Sequence, residues 1–142
     1  MNYINAQKEI LTEYLKEKKV VIGKVDDKVF YGTPFKVYIN NENKVGIDFK
    51  NVQPLAENTL KSFTDDRNLI DAYLTPEMVN DGKKILRVFE TDSCKIYVDE
   101  KLLKNFDLSI STFKGSEPKK PIFIYENEIM VGFVFPVLYK KS

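Results

Sequence analysis

Histidine and tryptophan are both absent from this chain. Without an imidazole there is no Ser–His or Cys–His nucleophile pair, no histidine general base and no histidine-ligated zinc. Cysteine occurs once, as Cys94, so neither an intrachain disulfide nor a Cys-x-x-Cys site can form. One unpaired thiol fits a reducing compartment, and the sequence is assigned to the cytoplasm. Cys94 lies in Thr91-Asp92-Ser93-Cys94-Lys95 between two apolar runs, and reads as a small residue beside a hairpin turn rather than a reactive thiol. Arginine is scarce: only Arg67 and Arg87 accompany 20 lysines. That leaves little of the planar fork that reads guanine or grips phosphate with two bonds. An excess of one charge is also lacking. Lys and Arg total 22, Asp and Glu 21, for a net charge of +1, without the basic surplus usual in nucleic-acid binders.

Long apolar runs are missing too. The longest, residues 129–139, is interrupted by Gly132 and Pro136 and falls short of the ~18 residues that span a bilayer. The first residues, Met1-Asn2-Tyr3-Ile4-Asn5, carry no basic stretch followed by an apolar one, so no signal peptide is read there. No GxGxxG, GxSxG or HExxH pattern occurs. The loop Lys114-Gly115-Ser116-Glu117-Pro118-Lys119-Lys120 has cations for a phosphate but not the GxxxxGK[ST] cradle, and reads as a solvated loop. No cofactor and no metal are expected.

What is present is a globular composition. Of 142 residues, 43% are apolar, and 10 Phe with 8 Tyr supply bulk for a core. Surface scaling for this mass buries roughly two-thirds of the unfolded surface, enough to fold without staples. One domain over 1–142 is expected. Most tyrosines are expected at the core or its edge with their hydroxyls wet.

Helical spacing of Ile4, Ala6, Ile10, Leu11, Tyr14 and Leu15 predicts a helix over residues 4–18, with Gln7 and Glu9 on its polar side. β-Branched and aromatic runs predict strands at Val20–Val25, Val29–Tyr31, Phe35–Ile39 and Lys44–Phe49, with a turn at Asp26-Asp27. The middle reads as helical. Pro54 starts a helix carrying Leu55, Ala56, Leu60 and Phe63; Asp65-Asp66 caps a second with Leu69, Ile70, Tyr73 and Leu74; Thr75-Pro76 opens a short third. Lys84–Glu90 and Lys95–Val98 form a hairpin, and Asp99 caps a short helix with Leu102, Leu103 and Phe106 inward. Leu108–Phe113 is a strand, and Ile122–Tyr125 with Ile129–Phe135 forms a last hairpin. The fold class is α+β, a mostly antiparallel sheet with three or four helices.

Two segments look alike. Pro34-Phe-Lys-Val-Tyr38 and Pro121-Ile-Phe-Ile-Tyr125 are each followed by Asn-Glu, then Val-Gly, then Phe three residues on. This suggests a duplicated helix-plus-three-strand unit, with halves 1–52 and 83–142 joined by the helical middle. Two unrelated hairpins of ordinary strand composition also account for it.

The C-terminal segment resembles the last segment of bacterial DNA sliding clamps. The residues are Tyr97-Val98-Asp99, Leu102-Leu103, Leu108–Thr112, Pro121-Ile122-Phe123-Ile124 and Phe135-Pro136-Val137. About 45 residues take part, and the chain departs from the family in having Leu138 where arginine is usual and in being long enough for only one clamp domain. The resemblance implies that Pro136, Val137 and Leu138 border a cleft for a partner peptide. It also implies that, in a closed oligomeric ring, Lys8, Lys16, Lys18 and Lys19 would face DNA. Glu9, Glu13 and Glu17 share that helix side and weaken its field. Taken whole, with its many lysines and asparagines, the chain looks like a small phage or mobile-element protein of an AT-rich Gram-positive host.

The expected function is a non-catalytic protein-interaction module acting on host machinery through sheet edges and the C-terminal hairpin, with a protein partner or self-association and no membrane. The alternative is a sliding-clamp-like replication accessory protein. A third reading is a carboxylate-metal enzyme built on Asp65, Asp66 and Asp71, although these also suit a helix start.

Overall fold

A computed structural model describes residues 1–140. Two α-helices, α1 (Tyr3–Leu15) and α2 (Glu57–Phe63), accompany nine strands: β1 (Val21–Val25), β2 (Lys28–Thr33), β3 (Lys36–Asn41), β4 (Ile70–Asn80), β5 (Ile85–Glu90), β6 (Lys95–Asp99), β7 (Ser111–Gly115), β8 (Ile122–Glu126) and β9 (Ile129–Val134). The strands form one sheet in the order β1-β2-β3-β9-β8-β7-β4-β5-β6, and every neighbouring pair is antiparallel. The α+β class and the antiparallel sheet therefore hold, with two α-helices among the described residues in place of three or four.

Side-chain alternation explains why the central strands read as unbroken apolar runs. In β8, Ile122 and Ile124 join one buried cluster while Phe123 and Tyr125 join another. In β3, Tyr38 belongs to the first and Val37 and Ile39 to the second. Both faces are covered, so both parities are apolar. The larger cluster lies under α1, through Ala6 and Ile10, and under the returning strands β5 and β6, through Phe89, Ile96 and Val98. The smaller lies under α2, whose one fully buried residue is Leu60.

Tight turns set the register. Asn127 and Glu128 both have positive φ, the two-residue geometry whose twist matches flanking antiparallel strands. At the other end of the sheet, Val137 beyond β9 donates its N–H to the Tyr97 carbonyl of β6 at 2.9 Å. The sheet therefore curls until its last strand meets the chain leaving β9. The opposite edge is also engaged, because Leu55 donates to the Ile22 carbonyl of β1 at 2.8 Å.

Four local expectations are corrected. Residues 66–80 are not helical. Asp66 to Asn68 lie in a turn and Ile70–Asn80 is β4, which pairs β7 through Ala72 and β5 beyond it. The apparent helical spacing there gives way to pairing on both sides. Thr75-Pro76 sits at a bulge between Leu74 and Met78, where proline's missing N–H interrupts no ladder bond, and the Thr75 hydroxyl bonds the Val88 carbonyl at 2.9 Å. Second, residues 45–49 form no strand. They follow a 3-10 turn (Glu42–Lys44) and run as irregular chain, tied to α1 by Gln7, whose amide donates to the Lys44 carbonyl and accepts from Gly46 N–H. The two look-alike segments thus take different forms, one ending in irregular chain and the other in β9. Third, α1 ends at Leu15, and its buried face is Ala6, Gln7 and Ile10 while Ile4 and Leu15 are exposed. Fourth, the strand expected at Leu108–Phe113 starts later, at Ser111. Asp99 does cap a helical turn, of the 3-10 kind (Glu100–Leu103), by accepting from Lys101 N–H at 3.0 Å.

Candidate functional site

Two features combine chemistry with burial. The first is an apolar cleft of about 190 Å³ between α2 and the sheet. Val21, Phe30, Val37 and Phe133 form its floor from four adjacent strands, and Leu55, Leu60 and Phe63 close it from the helix side. Gly23 permits this approach: a Cβ there would stand 2.5 Å from Leu60 Cδ1 and 3.3 Å from the Leu55 carbonyl oxygen. Phe63 stacks on Phe133 with ring centroids 6.2 Å apart and meets Phe135 edge-on at 6.4 Å. It still leaves 44% of its surface to solvent. Phe35, next to the lining residue Pro34 in the β2–β3 turn, is 64% exposed, and its carbonyl accepts the Phe135 N–H at 2.9 Å. Pockets that enclose a whole organic ligand run from about 300 to 1,000 Å³, whereas about 150 Å³ holds one benzene ring. The cleft is therefore sized for one bulky side chain.

The second feature is a buried polar cluster beneath α1. The Lys36 side chain is 2% exposed, and its ammonium lies 3.0 Å from Glu9 Oε2 and donates to the Tyr38 hydroxyl at 2.6 Å. That hydroxyl lies 2.7 Å from Glu9 Oε1 and 2.8 Å from the Lys104 carbonyl. Asn105 Nδ2 donates to Glu9 Oε1 at 2.9 Å. Tyr31 donates to Asn40 Oδ1 from the neighbouring strand. Burial pushes the Lys36 ammonium below its usual range, against the pull of Glu9. Burial also pushes the Tyr38 and Tyr31 phenols upward, helped by the Glu9 charge. These tyrosines do not have the wet hydroxyls expected of them: their bonds are internal. The cluster joins α1, β3 and the chain after the Glu100–Leu103 turn.

The titration of these groups predicts how the fold responds to alkali. Tyr31, Tyr38 and Tyr125 keep their protons in the fold above the ordinary phenol value of 10.0. The unfolded chain releases them there, so stability falls as pH rises beyond about 10. Lys36 acts oppositely. Its proton is held more loosely in the fold, so stability rises with pH up to its ordinary 10.5. Three phenols against one ammonium make the fall dominant by about pH 10. Ultraviolet difference absorbance against circular dichroism is expected to show these three phenols ionising only as the sheet unfolds. Ionisation ahead of unfolding would contradict their burial.

The residues singled out from the sequence lie apart from one another. Pro136 and Val137 are half-buried, and Val137 is bonded to β6, while Leu138 is 66% exposed. Their neighbour Phe135 lines the apolar cleft, one residue before the predicted trio. Lys8 lies on the exposed side of α1, Lys16 is its C-cap, and Lys18 and Lys19 follow, with Lys18 3.7 Å from Glu13. Asp65 is held by Arg67 through two bonds, at 2.8 and 2.6 Å, which keeps its carboxyl below the usual carboxylate range. Asp66 accepts from Tyr125 at 3.2 Å, and Asp71 pairs Lys114 across β4 and β7. Among the described residues no group of three or more acidic or cysteine side chains is placed to hold a metal, and no helix is long and apolar enough to cross a membrane. Cys94 sits in the β5–β6 turn, its thiol 3.7 Å from the Ser116 carbonyl.

Compared with known proteins, the chain matches no family model, no curated protein and no solved structure. The site geometry alone therefore carries the functional reading.

Proposed function

We propose that this protein is a non-catalytic interaction module that binds another protein through the apolar cleft between α2 and the sheet. The observation that carries the reading is the open cleft of about 190 Å³, lined by the exposed Phe63, with the exposed Phe35 following its lining residue Pro34. Exposed aromatic groups beside a side-chain-sized pocket are the usual anchors of protein interfaces. The sheet edges suit the role less than the sequence implies, because Leu55 and Val137 bond to the outer strands. On the resemblance drawn from the sequence, the partner is host machinery met by a phage or mobile-element protein, with replication proteins the first class to test.

The test is a tagged pull-down from nuclease-treated lysate of an AT-rich Gram-positive host, run in parallel with Phe35→Asp, Phe63→Asp and Leu138→Asp. All three sites are exposed, so circular dichroism should report an unchanged fold. One protein retained by the parent chain is expected to fall about tenfold with the Phe35 and Phe63 variants. Loss with Leu138→Asp alone would move the surface to the C-terminal segment. Capture that ends on nuclease treatment would favour the replication-accessory alternative.

A further inference from the structure

On the other side of Phe63 from the apolar cleft lies a second cavity, of about 750 Å³. Its size falls within the roughly 300–1,000 Å³ of pockets that hold small organic ligands. The wall and floor on one side are apolar: Phe63, Phe123 and Phe135, with Leu69 and Pro121. The rim is different. Lys119 and Lys120 stand on it with Ser116, from the loop between β7 and β8, and Asn58, Thr59 and Ser62 face them from α2.

Charge decides what such a cavity takes. Lys119 and Lys120 have no carboxylate within 4.0 Å among the described residues, whereas Lys61, close by on α2, pairs with Glu57 at 3.1 Å. The one acidic residue that lines the cavity, Asp65, is neutralised by Arg67 at 2.6 Å. Asp66 is engaged by the Tyr125 hydroxyl, and Glu117, two residues before Lys119 in the same loop, is not among the residues that line the cavity. The rim is thus left with two uncompensated cations beside three hydroxyls and an amide. Lysine ammonium groups and hydroxyls together bind phosphate or carboxylate oxygens. Phe63, 44% exposed, and the half-buried Phe135 offer a stacking surface for a planar ring.

We infer that this cavity binds a small molecule consisting of a planar ring that carries one anionic group, as in a nucleoside monophosphate or an aryl carboxylate. The ring lies against Phe63 and Phe135, over the buried Phe123, and the anion meets Lys119 and Lys120. The loop Lys114–Lys120 thereby has a role despite lacking a phosphate cradle. Its start is fixed by Gly115 in β7 and by the Cys94–Ser116 contact, and the backbone bond from Lys120 N–H to the Glu117 carbonyl at 3.1 Å closes the turn that carries the two lysines. This assignment does not depend on a protein partner at the apolar cleft.

The experiment is a titration of the full chain followed in an amide proton–nitrogen correlation spectrum. The probes are adenosine monophosphate and 2-naphthoate, with adenosine and 2-naphthalenemethanol as neutral counterparts. One anion, or both, is expected to shift the amides of Ser116, Lys119, Lys120 and Phe63 below about 1 mM, and which one binds separates the nucleotide from the aryl-acid source. Lys119→Glu with Lys120→Glu is expected to weaken the anion about tenfold and leave the neutral counterpart unchanged. Both lysines are exposed, so an unaltered spectrum elsewhere will show that the fold survives. Shifts confined to other parts of the chain, equal binding of the neutral molecules with no effect of the charge reversal, or no shift at about 1 mM would each overturn the assignment.

Discussion

Replacing Glu9 by alanine is expected to destabilise the protein by about 3 kcal/mol, and adding Lys36→Met to the same chain to restore most of the loss. The reason lies in the asymmetry of the pair. Lys36 is 2% exposed and Glu9 23%, so removing the carboxylate strands a buried ammonium, whereas removing both charges leaves no unpaired charge buried, and the Tyr38 hydroxyl keeps the Lys104 carbonyl as acceptor. The partial wetting of Glu9 puts the expected loss at the low end of what breaking a buried pair produces. Tyr38 and Asn105 lose a shared acceptor in the same step. Urea unfolding followed by circular dichroism measures each variant. A double variant as unstable as Glu9→Ala alone would mean that the pair is not what the carboxylate supports.

Gly32→Ala is expected to destabilise by about 3 kcal/mol, while Gly46→Ala changes stability by less than about 0.5 kcal/mol. A Cβ on Gly32 would lie 2.0 Å from the Lys36 carbonyl oxygen and 2.7 Å from Val37 Cα. Both are backbone atoms of the strand paired with it, so the clash can be relieved only by parting β2 from β3. Around Gly46 nothing lies within 4 Å of the added atom. Comparable midpoints for the two variants in thermal unfolding would refute the close approach at Gly32.

Much of the sheet is legible in the sequence because its strands are short, β-branched and separated by turn residues. The hairpins β1–β2, β5–β6 and β8–β9 stand within a residue or two of where alternation and turns put them. What misleads is the segment 65–80, where Leu69, Ile70, Tyr73 and Leu74 fall at helical spacing. There Ala72 is the buried residue and Tyr73 points outward, a strand alternation visible only once β5 and β7 are known to flank it. Lys44–Phe49 misleads in the other direction. It has the residues of a strand, but Gln7 takes up its backbone groups and Phe49 turns into the core. The candidate sites were harder still. Phe135 was one residue from the predicted trio, but its neighbours Phe63, Phe30 and Leu55 come from elements far apart in the chain. Lys36 falls inside the predicted strand Phe35–Ile39 and Glu9 on the polar side of the predicted helix. Only the crossing of α1 over β3 makes them partners.

The position of β3 in the sheet bears on how the chain emerges during synthesis. β3 takes its second partner from β9, with Lys36 opposite Val134 and Tyr38 opposite Gly132, and five strands leave the ribosome between the two. Until β9 appears, the meander of β1, β2 and β3 presents an open inner edge carrying Val37, Tyr38 and Ile39. Such an edge is a template for pairing with another nascent chain. Contacts this distant in sequence also close slowly, because the intervening loop must be ordered first. A ribosome stalled before β9 would therefore release a chain whose first three strands are ready to pair and whose natural partner does not exist, and that species, rather than the finished fold, is the one the cell has to guard against.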